Sequence, residues 1–414
     1  GELKVCVTST SLELGIDIGY IDLVICLGSP KSIARLLQRI GRSGHQLHST
    51  IKGKIVVQDR DDLVECSVLA KSAKEGKIDR IHIPTNCLDV LAQQINGFCL
   101  EQVWDTTDLF RIIRKSYCYK DLKLEDYEGL LSYLAGEFTS LEERHIYAKI
   151  WRDGNNIGKK GKMNRVIYMT NLGTIPDESY VTVKQGEQIL GHIDEGFLEK
   201  LKRGDVFVLG GNTYEFLFGR GMVAQVRSAA GKRPTIPAWF SEMLPLSFDL
   251  AMDIQRFRYL MDDKFEHELS KEDIIAFISS YVYVTDNAAE AIYHYFLEQR
   301  KYIGIPHQKK MLVEHYTDED EQTFTVFHSV YGRRVNDILS RALAYVVGKI
   351  DHRDVEVSIT DNGFLLASEK KIRPLRALEL LKAHELGTLM KMAIEDTEVL
   401  RRRFRHCASR AFMT

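Results

Sequence analysis

Two short stretches near the start hold the residues best suited to chemistry. They are Thr8-Ser-Thr-Ser-Leu-Glu-Leu-Gly-Ile-Asp17 and, about twenty residues later, Gln38-Arg-Ile-Gly-Arg-Ser-Gly-His45. Hydroxyl side chains beside a glycine at a strand end can donate to phosphate oxygens. Asp17, two residues after Gly15, places a carboxylate where it can accept from a sugar hydroxyl or hold an arginine. Arg39 and Arg42 lie three apart at the end of a helical stretch, so their guanidiniums project in similar directions. Fixed, permanently charged, bidentate donors of this kind suit a polyphosphate. An isolated Arg-x-x-Arg would more simply cap a helix or meet surface acids. The ordered succession of hydroxyl loop, Gly-Ile-Asp and Gln-Arg-x-Gly-Arg within about forty residues favours the phosphate reading.

The elements that must position these residues are legible around them. Val5-Cys-Val-Thr reads as a short strand, Asp22-Leu-Val-Ile-Cys-Leu as a second and Lys54-Ile-Val-Val-Gln as a third. Ser29 and Pro30 predict a helix start, with Ile33, Leu36 and Leu37 at helical spacing and a stop near Gly41. Apolar strands joined by a helical crossover predict a parallel α/β sheet covered on both faces.

From about residue 76 the pattern turns helical. Thr85 or Asn86 can cap a helix carrying Val90, Leu91, Ile95 and Phe98; Thr106-Thr107 precedes a second helix, and Leu124-Glu-Asp-Tyr opens a third. Lys149 to Arg165 then holds six basic residues, one acid and three glycines. Three short helices followed by a basic, glycine-bearing segment suggest a winged helix, a frequent nucleic-acid binder. Arg165-Val-Ile-Tyr-Met, Tyr180-Val-Thr-Val, Gln188-Ile-Leu and Asp205-Val-Phe-Val-Leu read as strands, with Gly210-Gly-Asn turning into Thr213-Tyr-Glu-Phe. They predict a small antiparallel barrel or sandwich. After Pro245 helices dominate: Ser270-Lys-Glu-Asp is a capping box, and Asp361-Asn-Gly turns an inserted hairpin between Val355 and Phe364.

The total of 414 residues, 44% apolar and 28% charged, is that of a globular protein with several cores. A net charge of −2 excludes a uniformly basic nucleic-acid coat, and no apolar run is long enough to span a membrane. Locally the charge is uneven. Lys31 to Lys54 carries six basic residues without an acid, Arg220 to Arg233 four and Arg401 to Arg410 five. The seven cysteines lack a Cys-x-x-Cys and read as free thiols of a reducing compartment; with thirteen histidines they form no metal-ligand spacing. The chain begins with Gly1 and closes on a helical pattern without a stop signal, so a portion of something longer is expected.

The two opening stretches resemble motifs V and VI in the second RecA-like domain of superfamily 2 helicases. The ending Gly44-His45 is similar to the Lhr group, the large helicase-related proteins. Asn171-Leu-Gly-Thr-Ile-Pro-Asp177, Ile236-Pro-Ala-Trp-Phe-Ser-Glu242 and His328-Ser-Val-Tyr-Gly-Arg-Arg-Val-Asn336 with Ser340-Arg-Ala-Leu extend the likeness over nearly the whole chain. The resemblance implies a multidomain α/β and α+β architecture: part of a RecA-like lobe over 1–76, a winged helix over 77–164, an antiparallel β-barrel over 165–245, and a helical part of the same domain with a hairpin over 246–414. It implies an ATP-dependent DNA helicase or translocase moving 3′-to-5′ on single-stranded DNA. Arg42 would be the arginine finger and Arg39 its phosphate-side partner, with Gly15, Asp17 and Gln38 completing the nucleotide contacts. Thr8, Ser9 and Thr10 would grip the DNA backbone. Ile175 would either wedge between bases or make a small core contact, and Trp239 would either stack on a base or simply pack.

The expected partners are DNA (single-stranded or tailed duplex) and the other motor lobe, in the cytoplasm with the nucleoid; no membrane is involved. No Gly-x-x-x-x-Gly-Lys-[Ser/Thr] occurs, and Gly154-Asn-Asn-Ile-Gly-Lys-Lys is one residue short. ATP and Mg2+ therefore imply a phosphate cradle and metal ligands on another lobe, and the chain alone is expected not to hydrolyse ATP. A non-catalytic nucleic-acid binder derived from a split or degenerate helicase is the alternative.

Overall fold

The computed structural model describes residues 4–8, 21–43, 51–138, 147–174, 180–198, 201, 203–232, 244–319, 321–352, 355–369, 371–395 and 397–413. They form two compact units: one of residues 1–81 with 243–393, the other of 82–242 with 394–414.

The first unit opens with β1 (Val24–Leu27), α1 (Ile33–Ile40), β2 (Gly53–Val56) and α2 (Arg60–Lys74). β1 and β2 pair in parallel, Cys26 opposite Ile55, as the crossover demands. Among the described residues Val5 to Thr8, expected as a further strand, is not one: Val5 and Val7 are 76% and 91% exposed, so neither reaches a core. α1 also begins later than Ser29 and Pro30 suggest. Its N-cap is Ser32, whose hydroxyl accepts from the Arg35 amide, because Lys31 takes a left-handed turn (φ 63°) just before it.

In the second unit, α3 (Leu88–Glu101), β3 (Trp104–Asp105), α4 (Thr106–Ile113) and α5 (Leu124–Ala135) precede the hairpin of β4 (Ile150–Asp153) and β5 (Asn156–Lys159). β3 and β4 flank β5 in one three-stranded sheet, which makes this segment a winged helix. Neither Thr85 nor Asn86 caps α3; the N-cap is Cys87, and Asn86 turns left-handed (φ 53°) with its amide on the Cys118 carbonyl. Asp105 caps α4, accepting from the amides of Thr107 and Asp108. Leu91, Ile95, Leu109, Tyr127 and Leu131 fill the core between the helices.

Arg165 to Met169 departs from expectation: α6 (Asn164–Thr170) is a helix, not a strand. Its β-branched residues favour extension only weakly, and tertiary contacts override them. Asn164 is buried and exchanges side-chain hydrogen bonds with Asn96 of α3, both 2.9 Å, while Ile167 and Tyr168 pack on the winged-helix core. Beyond it come β6 (Tyr180–Gln185), β7 (Gln188–Asp194), the short α7 (Glu195–Leu198), β8 (Val206–Leu209), β9 (Asn212–Arg220) and β10 (Val223–Ser228). They make one five-stranded sheet in the order β7-β6-β10-β9-β8. The expected antiparallel barrel is corrected here, since β10 runs parallel to β6 and, among the described residues, β7 and β8 end the sheet.

The first unit resumes with α8 (Phe248–Glu266), α9 (Lys271–Val282) and α10 (Asp286–Tyr302), packed with α1 and α2 around Phe257, Met261 and Phe296. β11 (Leu312–Thr317), β12 (Thr323–His328), α11 (Arg333–Asp351), β13 (Glu356–Ile359), β14 (Phe364–Ser368), α12 (Pro374–Leu380) and α13 (Leu386–Ile394) follow, and α14 (Glu398–Arg410) returns to the second unit. The hairpin turned by Asp361-Asn-Gly is no insertion: β14 pairs with β12, giving a four-stranded antiparallel sheet β11-β12-β14-β13 covered by α11.

Candidate nucleotide-facing and nucleic-acid-facing sites

α1 carries the arginine pair because its apolar residues recur on one face. Ile33 and Leu36 are buried and Leu37 and Ile40 half-buried, which turns Gln38 outward. Gly41 ends the helix, and the next turn returns the Arg42 amide to the Arg39 carbonyl at 3.2 Å. Both arginines are half-buried and Gln38 is exposed. Ser43, only 1% exposed, locks this end: its hydroxyl lies 2.7 Å from the Ile40 carbonyl and 3.0 Å from that of Lys52, and accepts from the Lys52 amide. Gly53 at the start of β2 permits the contact, since a Cβ there would sit 2.3 Å from Ile40 Cγ2.

The other end of α1 is held by a residue that belongs to no motif. Asp79 Oδ2 accepts from the Ser32 hydroxyl (2.8 Å) and the Ala34 amide (2.9 Å), while Oδ1 accepts from the Ser247 hydroxyl (2.5 Å). Beside it, Lys31 Nζ lies 2.8 Å from Glu65 and 3.9 Å from Asp62. Burial works against the Lys31 charge, yet the Glu65 carboxylate wins and raises its pKa. Burial dominates at Glu65, pushing that carboxyl up despite Lys31, and drives the neighbouring Cys66 thiol to about 12, so this thiol is inert.

Of the remaining expected site residues, Thr8 is exposed. Ser9, Thr10, Gly15, Asp17, Ile175 and Trp239 lie outside the described residues. The loop leading to Ile175 is described as far as Thr174. Gln93 of α3, 1% exposed, grips it: Nε2 donates to the carbonyls of Asn171 (2.7 Å) and Gly173 (3.1 Å), and Oε1 accepts the Gly173 amide (3.1 Å). Gly173 holds φ 114°, a conformation other residues rarely adopt. Arg410 of α14 reaches the same loop, with Nη1 3.4 Å from the Thr174 carbonyl and Nε 2.6 Å from Asp89.

Within the segment from His328 to Asn336, Ser329, Val330, Gly332 and Asn336 are buried while Arg334 is exposed. Asn336 is fully buried, donating to the carbonyls of Thr360 (3.0 Å) and Asp361 (3.2 Å) and accepting from the Ser329 hydroxyl (2.9 Å). Two of the basic runs are partly neutralised. Arg227 and Lys232 both hold Glu215, whose carboxyl they keep below its usual range, and Arg405 pairs with Glu195. Among the described residues no cluster of His, Cys, Asp and Glu could hold a metal, and no helix is long and apolar enough to cross a membrane.

Comparison with known proteins gives these features a family. Residues 71–236 match the model of the large helicase-related protein winged helix domain, 1–46 the helicase conserved C-terminal domain, and 305–414 the DEAD/H associated domain. The ATP-dependent helicase Lhr-Core of Methanothermobacter thermautotrophicus is 58% identical over 100% of this chain and 48% of its own length. That of Methanocaldococcus jannaschii is 49% identical with the same coverage. The chain thus spans about half the length of the curated relatives it matches. The structure of Mycobacterium smegmatis helicase Lhr bound to ssDNA and AMP-PNP has the same fold, with a TM-score of 0.72 at 24% identity over 97% of this chain and 47% of that one. The helicase-like arginine stretch, the winged helix and the segment after it all find their counterparts in one group of proteins, and the chain belongs to that group, the Lhr-like, large helicase-related family.

Proposed function

We propose that this chain forms part of an ATP-dependent DNA helicase that moves 3′-to-5′ on single-stranded DNA. In this reading β1, α1 and β2 belong to the second RecA-like lobe, which supplies Arg42 as arginine finger and Arg39 beside it, with Gly15, Asp17 and Gln38 around the nucleotide. The observation that carries it is the arginine pair at the end of a helix pinned at both ends, by Asp79 and by Ser43. Catalysis of phosphoryl transfer rests on positioning and charge, and a rigid helix end provides both. ATP fits these residues: planar guanidiniums match phosphate oxygens, and Arg42 and Arg39 would stabilise the charge that a bound nucleotide develops on its leaving β–γ bridging oxygen. The phosphate cradle and the Mg2+ ligands would come from the first lobe, so the 414-residue chain alone binds DNA without turning over ATP. Relatives named ATP-dependent helicase Lhr-Core support the same reading.

The winged helix (77–164), the five-stranded sheet region (165–245) and the helical region after 246 would guide the strand, with Thr8, Ser9 and Thr10 on phosphates, Ile175 as wedge and Trp239 as stacking platform. In the protein carrying both lobes, Arg42→Ala is expected to cut ATP turnover by roughly 10³–10⁵ while single-stranded DNA binding persists. Normal turnover would refute the finger. Trp239→Ala is expected to leave hydrolysis intact and lose unwinding; unchanged unwinding removes the stacking role.

A further inference from the structure

In a winged helix the third helix usually enters the DNA groove. Here α5 is unsuited to it. Leu124 to Ala135 carries Glu125, Asp126 and Glu128 and no lysine or arginine, and Glu125 and Asp126 are exposed. Phosphates would be repelled there. Glu128 also occupies Arg152 of the wing at 2.6 Å. The opposite charge lies on the second helix and the turn after it. From Thr107 to Lys120 four basic residues accompany one acid, Asp108, which Arg111 already pairs at 2.9 Å.

These residues make an open groove of about 460 Å³, lined by Thr107, Phe110, Arg111, Arg114, Lys115 and Lys120. The groove is shaped from within. Arg114 Nε and Nη2 both donate to the Lys120 carbonyl (3.0 and 2.9 Å), and its guanidinium lies 5.7 Å from the Phe110 ring centre. That closure holds the turn carrying Lys115, Tyr117 and Lys120. Lys120 Nζ sits 4.5 Å from the centre of the Tyr117 ring, which stays 59% exposed. Exposed cations tracking a backbone beside an exposed aromatic ring form the arrangement that binds single strands without reading sequence.

We propose that this groove binds a single-stranded nucleic-acid segment, with its phosphates on Arg111, Lys115 and Lys120 and one base on Tyr117, while α5 contacts no nucleic acid. The inference rests on the nucleic-acid reading of the chain and adds where the winged helix makes its contact. The test is fluorescence anisotropy of the 414-residue chain with a labelled oligothymidylate and a labelled duplex across a salt series, circular dichroism confirming that each variant is folded.

Lys115→Glu with Lys120→Glu is expected to weaken oligothymidylate binding about tenfold or more and to lower the salt slope by about 1.4, for two lost phosphate contacts. The Arg114 bonds survive this change because they use the Lys120 backbone. Tyr117→Ala should cost about tenfold with the slope unchanged, since stacking carries no charge. Glu125→Gln with Asp126→Asn should not weaken binding. If the unsubstituted chain binds while all the groove variants bind equally well, the groove is overturned and the helicase reading stands; if the unsubstituted chain binds no nucleic acid, both fall. Tighter binding to duplex with Tyr117→Ala silent, or equal competition by polyglutamate, overturns the single-strand assignment in favour of a duplex or an acidic protein.

Discussion

Replacing Asp79 by alanine tests whether the arginine-bearing helix is held from outside itself. The carboxylate accepts three hydrogen bonds, from Ser32 Oγ, the Ala34 amide and Ser247 Oγ, at 2.5–2.9 Å. Bonds to charged acceptors contribute about 1.5–3 kcal/mol each when buried, and Asp79 is half-buried, so each counts for less. Ser32 is 7% exposed and its hydroxyl proton would be left without an acceptor, roughly 1–2 kcal/mol. The Ala34 amide and the Ser247 hydroxyl are easier to rehydrate, at roughly 0.5–1 kcal/mol each, giving about 2–4 kcal/mol in all. Hydrogen exchange followed by mass spectrometry reads this locally: protection of α1 should fall by about 30- to 1000-fold, with the winged-helix core unchanged. Asp79→Asn keeps one acceptor oxygen and should lose about half as much free energy. Protection of α1 within a few-fold of the unsubstituted chain would refute the clamp. Loss of protection with unaltered ATP turnover in the protein carrying both lobes would separate the clamp from the finger.

Gln93→Leu keeps the bulk of a buried side chain but abandons the carbonyls of Asn171 and Gly173 and the Gly173 amide. We expect a loss of about 2–4 kcal/mol, seen as faster exchange in the loop, and unchanged exchange there would show that the grip is dispensable. His307 is 9% exposed; burial depresses its pKa below the ordinary 6.5, although Asp262 at 3.3 Å pulls the other way and Lys310 adds repulsion. The native state therefore binds fewer protons than the unfolded one between the depressed value and 6.5. Stability should accordingly be level above about pH 6.5 and fall as pH drops through that window. The urea midpoints at about pH 7.5 and about pH 5.5 should differ less in His307→Gln, and an identical difference would remove the histidine from the account.

What could be read from the sequence was whatever lay in local periodicity. The apolar stripe of α1 and the heptad-like spacing of α3 to α5 announce helices because each buries one face. The parallel pairing of β1 and β2 follows from the helix between them. α6 looks like a strand from sequence because Val166, Ile167 and Tyr168 favour one locally, while the decisive partner, Asn96, lies 68 residues away from Asn164. The sheet β11-β12-β14-β13 shows only its hairpin in the sequence for a similar reason: its central pairing joins Phe327 to Phe364 across α11. Asp79 and Gln93 carry no motif, and their importance appears only when acceptors from distant segments meet them.

The downstream stretch His328 to Asn336 is linked to α1 through a series of hydrogen bonds. Asn336 spends both amide protons and its carbonyl oxygen inside the chain, so it has nothing left for a nucleic acid. One bond further, Asp361 Oδ1 accepts from the amides of Arg333 and Leu246. The next residue, Ser247, passes its backbone amide to the Lys31 carbonyl and its hydroxyl to Asp79, which in turn holds the first turn of α1. A continuous run of buried and half-buried polar contacts therefore joins Asn336 to the helix bearing Arg39 and Arg42. Each donor in such a run is costly to orphan. The stretch contributes to α1 through Ser247 and Asp79, which hold the first turn of the helix.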